Sequence, residues 1–258
     1  MFEQELRAAI DAAIKAKKHV LEVYETSFAV EIKADNSPVT EADKGSDKII
    51  RTFLQKRFPD YAFLTEESID DKTRLQNDYV WIVDPVDGTK DFVNHDDEFT
   101  INIALAYKHE IVLGVVLVPV SGDIYYALKN GGSFRLRNNI ITKLHVNDKI
   151  NGLTVLTSRY HMNEKEKTTI DVHRNKIVRV MSVGSSLKPC YIAAGEAELS
   201  YRFSSGTKEW DTAANQIIVE EAGGVFVKPD GTRYIYNRED VVNREGYVIT
   251  NRKENLLL

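Results

Sequence analysis

The sequence predicts a mixed fold: an α+β half over residues 1–150 followed by an α/β half over residues 151–258. Three observations carry this expectation. Between residues 99 and 137, short apolar or alternating runs are separated by tight Gly-, Asn-, Asp- and Ser-bearing turns, the pattern of an antiparallel meander. From about residue 150, strand-like and helix-like runs alternate, as in an α/β layer. With 258 residues, 43% of them hydrophobic, the chain has apolar material for two such units, and no repeat, low-complexity segment or long linker divides it further.

Taken in order, Leu6, Ile10, Ala13, Leu21 and Tyr24 recur near a 3.6-residue period and predict an amphipathic helix over residues 2–25. Phe28, Val30 and Ile32 alternate as a short strand, and Asp35-Asn36-Ser37-Pro38 is a turn. Thr40 followed by Asp43 reads as a capping box opening a helix that runs to about Phe58, where Pro59-Asp60 stops it. Residues 62–64 form a short strand ending in Thr65-Glu66-Glu67-Ser68, and the polar residues 69–78 read as a mobile surface loop. A continuous apolar run at 79–83 predicts a buried strand. Residues 99–105 alternate as a half-buried strand, and strands are expected at 111–118, 124–128 and 133–137.

In the second half, strands are expected at 155–157, 177–181, 198–203, 225–227 and 247–250. Helices are expected from 164, over 185–194 and over 210–222, the last two closed by Gly195 and by Gly223-Gly224.

Charge and cysteine content exclude several classes. A net charge of −5 argues against a duplex nucleic-acid partner, which needs a basic surface. The single cysteine, Cys190, permits no intrachain disulfide and sits in an apolar setting, as a buried small hydrophobe does. Glu3, Glu5 and Asp11 break any secretory pattern, and no apolar stretch approaches the roughly 18–20 residues of a membrane span. The expectation is a soluble cytoplasmic protein; the sequence leaves its oligomeric state open.

The chemistry concentrates in residues 81–94, WIVDPVDGTKDFVN. The buried strand ends in Asp84 and Asp87, whose carboxylates converge across a tight turn, with the Val86 carbonyl between them as a third oxygen. Hard cations such as Mg²⁺ take such oxygens at about 2.0–2.1 Å and complete their shell with water and substrate phosphate. A cation also relieves the repulsion between two desolvated acids. Gly88 lets backbone approach a ligand, and Thr89 with the following amides forms a helix start able to cradle phosphate. Each piece also has a purely structural reading: an Asx-rich turn for residues 84–89, a helix-dipole residue for Asp43, a polar loop for Glu66-Glu67, and a helix N-cap for Asp211.

Taken together, Thr40 with Asp43, Glu66-Glu67-Ser68, Asp84-Pro85-Val86-Asp87-Gly88-Thr89 and Trp210-Asp211-Thr212-Ala213-Ala214 resemble the inositol monophosphatase superfamily of Mg²⁺-dependent, lithium-sensitive phosphatases. Lys90-Asp91-Phe92, residues 98–104 and Gly184-Ser185-Ser186-Leu187-Lys188 are similar to its 3'(2'),5'-bisphosphate nucleotidase branch. Pro189 and Lys208-Glu209 depart from the pattern, in the part that would touch a nucleoside.

The resemblance implies a layered αβαβα sandwich and two or three Mg²⁺ ions. The ligands would be Glu66, Asp84, the Val86 carbonyl, Asp87 and Asp211, with Asp84 bridging two ions. Thr89 and Asp43 would orient the attacking water, and Glu67 would assist. Gly88 and Thr89 would hold the scissile phosphate. Ser158, Arg159, His161, Ser185, Ser186 and Lys188 would hold the nucleoside and its second phosphate. The implied substrate is adenosine 3',5'-bisphosphate, with 3'-phosphoadenylyl sulfate, in sulfur metabolism. A phosphatase of inositol phosphates or sugar bisphosphates, or a non-catalytic nucleotide-binding protein, would fit the same fold.

Overall fold

The computed structural model describes residues 1–33 and 38–257. Asp35, Asn36 and Ser37, where a turn is expected, lie outside the described residues. Helix α1 (Glu3–Tyr24) forms where the apolar period places it, but its most buried face is an alanine stripe, Ala8, Ala9, Ala12, Ala13 and Ala16, continued by Val20 and Tyr24. Small side chains allow close packing against α2 (Glu41–Arg57), whose capping box is formed by Thr40 and Asp43. Between them the strand expected over residues 28–32 shrinks to β1 (Glu31–Ile32), paired antiparallel with β2 (Pro38–Val39).

A seven-stranded sheet follows in chain order: β3 (Ala62–Thr65), β4 (Tyr79–Asp87), β5 (Thr100–Tyr107), β6 (Glu110–Leu117), β7 (Ile124–Leu128), β8 (Gly132–Arg137) and β9 (Ile140–Lys143). β3 is parallel to β4, and every later pair is antiparallel, so the expected meander is present. Helix α3 (Thr89–Val93) lies between β4 and β5.

Residues 69–78 correct the expectation of a mobile loop. Arg74 within them is 1% exposed. Its guanidinium bonds Asp70 at 3.0 and 2.8 Å, Asn237 at 2.7 Å and the Arg238 carbonyl at 3.0 Å.

The remaining elements are β10 (Leu153–Thr157), α4 (Glu164–Val172), β11 (Ile177–Ser182), α5 (Leu187–Ala193), β12 (Leu199–Arg202), β13 (Thr207–Lys208), α6 (Glu209–Glu221), β14 (Val225–Val227), β15 (Val242–Asn243) and β16 (Tyr247–Thr250). A five-stranded sheet has the order β11-β10-β12-β16-β14, and β13 pairs with β15 in a separate ribbon. Pro189 is the third residue of α5, within the first turn, where a missing N–H costs nothing.

These pieces stack in five layers. Helices α1 and α2 cover one face of the large sheet through Trp81, Val83, Ile101 and Ile103. Helix α6, with α5, covers the other through Ile82, Ala104 and Val116, and the same core continues to Phe226 and Ile249 of the small sheet. Ile170 of α4 closes the far side over Val155 and Leu199. Strand β5, expected to be half-buried, is buried on both faces because helices cover both. Helix α6 lies so close to β6 that a Cβ on Gly114 would come within 2.7 Å of the Ala214 carbonyl. Among the described residues no helix is long and apolar enough to cross a membrane.

Candidate active site

The acids of residues 84–89 owe their placement to a β-bulge. Asp84 pairs with Asn102 and Asp87 with Thr100, so Pro85 and Val86 stand opposite the single residue Ile101. Proline suits this position because it has no ladder hydrogen to give. Ser46 of α2 donates to the Pro85 carbonyl at 2.9 Å, and the Val86 amide donates to Asp84 Oδ1 at 3.2 Å. Gly88 then turns the chain into α3 at φ 89°, ψ 43°, the left-handed region. A Cβ there would lie 2.9 Å from Ser185 Cβ.

Asp211 arrives from the opposite layer. It is the third residue of α6 rather than its N-cap: Lys208 occupies the cap, and its backbone N–H donates to Asp211 Oδ2 at 2.6 Å. One carboxylate oxygen from each of Asp84, Asp87 and Asp211 lies within 4.8 Å of the others. Removal from water, reinforced by Glu66, Asp87, Asp211 and Asp43, pushes the Asp84 carboxyl well above its ordinary range. Asp211 is pushed up to about 8, by burial and then by Asp87 and Glu66. Three crowded carboxylates, of which Asp84 and Asp211 resist ionisation without a cation, are a donor set suited to a hard divalent ion.

Glu66 borders the same cavity but bonds Lys33 Nζ at 3.0 Å. Glu67 is turned to the same ammonium, away from the cavity lining. Burial raises Glu67 to about 6 although Lys33 works the other way.

Asp43 and Thr89, to which the resemblance gives a joint role, lie in contact. Asp43, 2% exposed, accepts the Thr40 amide and hydroxyl on Oδ2, both at 2.7 Å. On Oδ1 it accepts the Thr89 hydroxyl at 3.2 Å. Thr89 Oγ1 also lies 3.4 Å from the Val86 carbonyl. Burial raises the Asp43 carboxyl in spite of the Thr40 bonds.

The acids open onto a cavity of about 380 Å³, bordered also by Gly88, Ser158, His161, Ser185, Ser186 and Lys188. Their roles differ. The Lys188 ammonium donates to the carbonyls of Val183 and Ser185 at 3.1 and 2.6 Å, and burial lowers its pKa. His161 is lowered to about 4, chiefly by burial and then by Arg202. The Ser186 hydroxyl is directed at Asp87, 2.6 Å away. Arg159 does not border the cavity; its guanidinium sits among Glu98, Asp91 at 3.4 Å and Asp96 at 3.8 Å, tying the residues after β10 to α3 and the residues that follow it.

Sequence reasoning did not single out Arg202, Tyr160 or Tyr247, nor place Lys90 and Trp210 at the cavity, yet all five border it. Arg202 ends β12 and donates to the His161 carbonyl at 2.7 Å. No local spacing marks it; only its place at a strand end could have. Phe92 is not at the site: it packs with Tyr24, Phe28 and Phe99.

Comparison with known proteins identifies relatives of this fold. The profile described as "Inositol monophosphatase family" matches residues 2–257. The chain is 34% identical over 248 residues to the 3'(2'),5'-bisphosphate nucleotidase CysQ of Salmonella typhimurium, covering 95% of this chain and 99% of that one. It is 32% identical over 236 residues to an inositol monophosphatase of Mesembryanthemum crystallinum, covering 88% and 86%. The crystal structure of CysQ from Bacteroides thetaiotaomicron superposes with a TM-score of 0.84 at 32% identity, over 98% of this chain and 99% of that one. A match that runs from the first helix to the last described residue, on the same fold, means that this chain belongs to the inositol monophosphatase family.

Proposed function

We propose that the protein is a Mg²⁺-dependent 3'(2'),5'-bisphosphate nucleotidase. It hydrolyses adenosine 3',5'-bisphosphate to AMP and phosphate, and takes 3'-phosphoadenylyl sulfate by the same chemistry. The observation that carries this reading is the position of the Asp84, Asp87 and Asp211 cluster at a cavity that Arg202 and Lys90 also border. A substrate with one phosphate at the acids and a second among the cations suits that division of charge. The 3'(2'),5'-bisphosphate nucleotidase at 34% identity supports it.

Asp84, Asp87, Asp211, Glu66 and the Val86 carbonyl would hold two or three Mg²⁺ ions, and Li⁺ would inhibit. When bound, these ions neutralise the phosphate dianion and make the attacking water more acidic. The protein supplies position and a path for the proton. Thr89 Oγ1 donates to Asp43, so its lone pairs face the cavity and accept a proton from the water as it attacks. Its own proton passes to Asp43, whose raised pKa makes it a competent acceptor, while the bond from phosphorus to the ribose oxygen breaks and that oxygen takes a proton from solvent water to become the hydroxyl of AMP. Gly88 leaves room for phosphate against the backbone. Lys188 fixes residues 183–185 beside it.

The inositol monophosphatase at 32% identity favours a second reading, a phosphatase of inositol phosphates on the same acids. A panel of adenosine 3',5'-bisphosphate, its 2' isomer, 3'-phosphoadenylyl sulfate, inositol 1-phosphate and fructose 1,6-bisphosphate, each with Mg²⁺, decides between them by released phosphate. The bisphosphate nucleotides are expected to have the highest kcat/KM. A higher value for inositol 1-phosphate overturns the nucleotidase reading. Silence across the panel, with nucleotide binding retained, points instead to a non-catalytic binding protein.

A further inference from the structure

Ser186 belongs to a motif that suggests substrate contact, yet its hydrogen bonds leave it nothing to give a substrate. Its Oγ lies 2.6 Å from Asp87 Oδ2, 2.9 Å from Asn102 Nδ2 and 2.7 Å from Asn215 Nδ2. The direction of each bond follows from the partners. Asn215 Nδ2 also donates to the Asp211 carbonyl at 2.7 Å, which can only accept. Asn102 Nδ2 also donates to Asp87 Oδ2 at 3.3 Å, which accepts likewise. Both amides therefore present N–H groups, and both lone pairs of Ser186 Oγ are taken. Its one proton goes to Asp87.

The consequence lies at Asp87. Ser186 and Asn102 donate to the same oxygen, Oδ2, while the Thr100 hydroxyl, 3.4 Å from it, gives its proton to Asn102 Oδ1 at 3.0 Å and so holds the Asn102 amide in place. The carboxylate is thereby held in one rotamer. Ser186 is 2% exposed, Asn102 1% and Asn215 4%, so water does not compete for these bonds. The network joins β5, the residues before α5 and the first turns of α6, the helix that brings Asp211.

We infer that Ser186 is a positioning residue for Asp87, orienting it toward a divalent cation, and not a contact for the nucleotide. This rests on the reading of Asp87 as a metal ligand. Partners of this kind are worth about 10–100-fold in metal affinity. In Ser186→Ala, Mg²⁺ affinity measured by calorimetry on the nucleotide-free protein is expected to fall about 10–100-fold. At saturating Mg²⁺ the KM for adenosine 3',5'-bisphosphate is expected to stay near wild type. Ser186→Cys, close in size but a weak donor, is expected to behave like the alanine variant, and it carries the test if the alanine variant fails to fold. Unchanged Mg²⁺ affinity with a raised KM, or with no change at all, overturns the inference. A wild-type protein that binds no Mg²⁺ would instead remove the metal-ligand reading beneath it.

Discussion

If Asp43 is the proton acceptor proposed above, replacing it by Asn separates its catalytic from its structural use. Asp43 accepts three hydrogens: two from Thr40 on Oδ2 and one from Thr89 on Oδ1. An asparagine has one accepting oxygen. Two donors point at it from Thr40, so the oxygen stays there and keeps the start of α2 capped. The amide nitrogen then faces Thr89 as a donor, reverses that bond and cannot take a proton. On the structural side, a charge-assisted bond becomes a neutral one, a loss of about 1 kcal/mol, or about 2–4 °C in Tm for a chain near this size. Even a protein stable by only about 5 kcal/mol remains almost wholly folded after that loss. On the catalytic side, loss of a general base lowers kcat by about 10²–10⁴-fold. Partial unfolding therefore cannot imitate the effect. The assay is phosphate release at saturating Mg²⁺ beside a thermal melt. If Asp43 and Thr89 act as one relay, Asp43→Asn combined with Thr89→Ala is no slower than the slower single variant. A kcat within about five-fold of wild type for Asp43→Asn, or losses that multiply in the double variant, refutes the relay.

Other outcomes follow from the same electrostatics. In the metal-free folded chain Asp211 titrates at about 8 against 3.8 when exposed, so folding retains a proton that the unfolded chain has lost. That stability is complete below pH 4 and is lost as pH rises through 8. Between pH 7 and 9 the transitions of His161 at about 4 and of Glu67 and Asp91 at about 6 are past. Metal-free Tm is therefore expected to fall across this window and to stop falling with excess Mg²⁺; a flat metal-free profile contradicts the crowding of acids. Asp211→Asn is expected to abolish turnover yet raise the metal-free Tm at pH 8, and turnover near normal would remove Asp211 from the metal site. Arg74→Ala strands a network joining Asp70 to Asn237 and is expected to cost about 3 kcal/mol, about 6–12 °C in Tm; a shift below 2 °C would mean that residues 69–78 are not anchored there.

Local pattern was legible wherever one residue type decides the backbone. The Thr40 capping box, the turns between β5 and β8, and the end of α6 at Gly223 all fall where the sequence puts them. Asp84, Asp87 and Asp211 could be grouped only through family resemblance, because nothing in a sequence fixes the distance between residues more than a hundred positions apart. What the sequence hid was shared burial. Strand β5 alternates like a half-solvated strand, yet α6, far along the chain, covers its second face. Arg74 reads as a surface charge because its partners Asn237 and Arg238 lie some 160 residues on. Arg159 reads as an anion-binding cation because its three acids stand on a different segment.

The donors around each acid sort the acids into roles that spacing could not assign. Asp43 is buried but has three donors, enough to exist without a cation, and so is free to serve as a proton acceptor. Asp87 has the Ser186 and Asn102 donors on a single oxygen, which fixes its orientation while leaving the other oxygen for a ligand. Asp84 is equally buried, yet the donor recorded for it among the described residues is the single Val86 amide, and four further acids raise it. Of these acids it gains most from a bound cation. Loss of Asp84 should thus weaken metal binding more than loss of any neighbour, whereas loss of Asp43 should leave binding intact and slow the reaction alone. The bulge at Pro85 is what makes the arrangement possible: one extra residue in β4 turns both Asp84 and Asp87 to the cavity, where strict alternation between positions three apart would have sent them to opposite faces of the sheet.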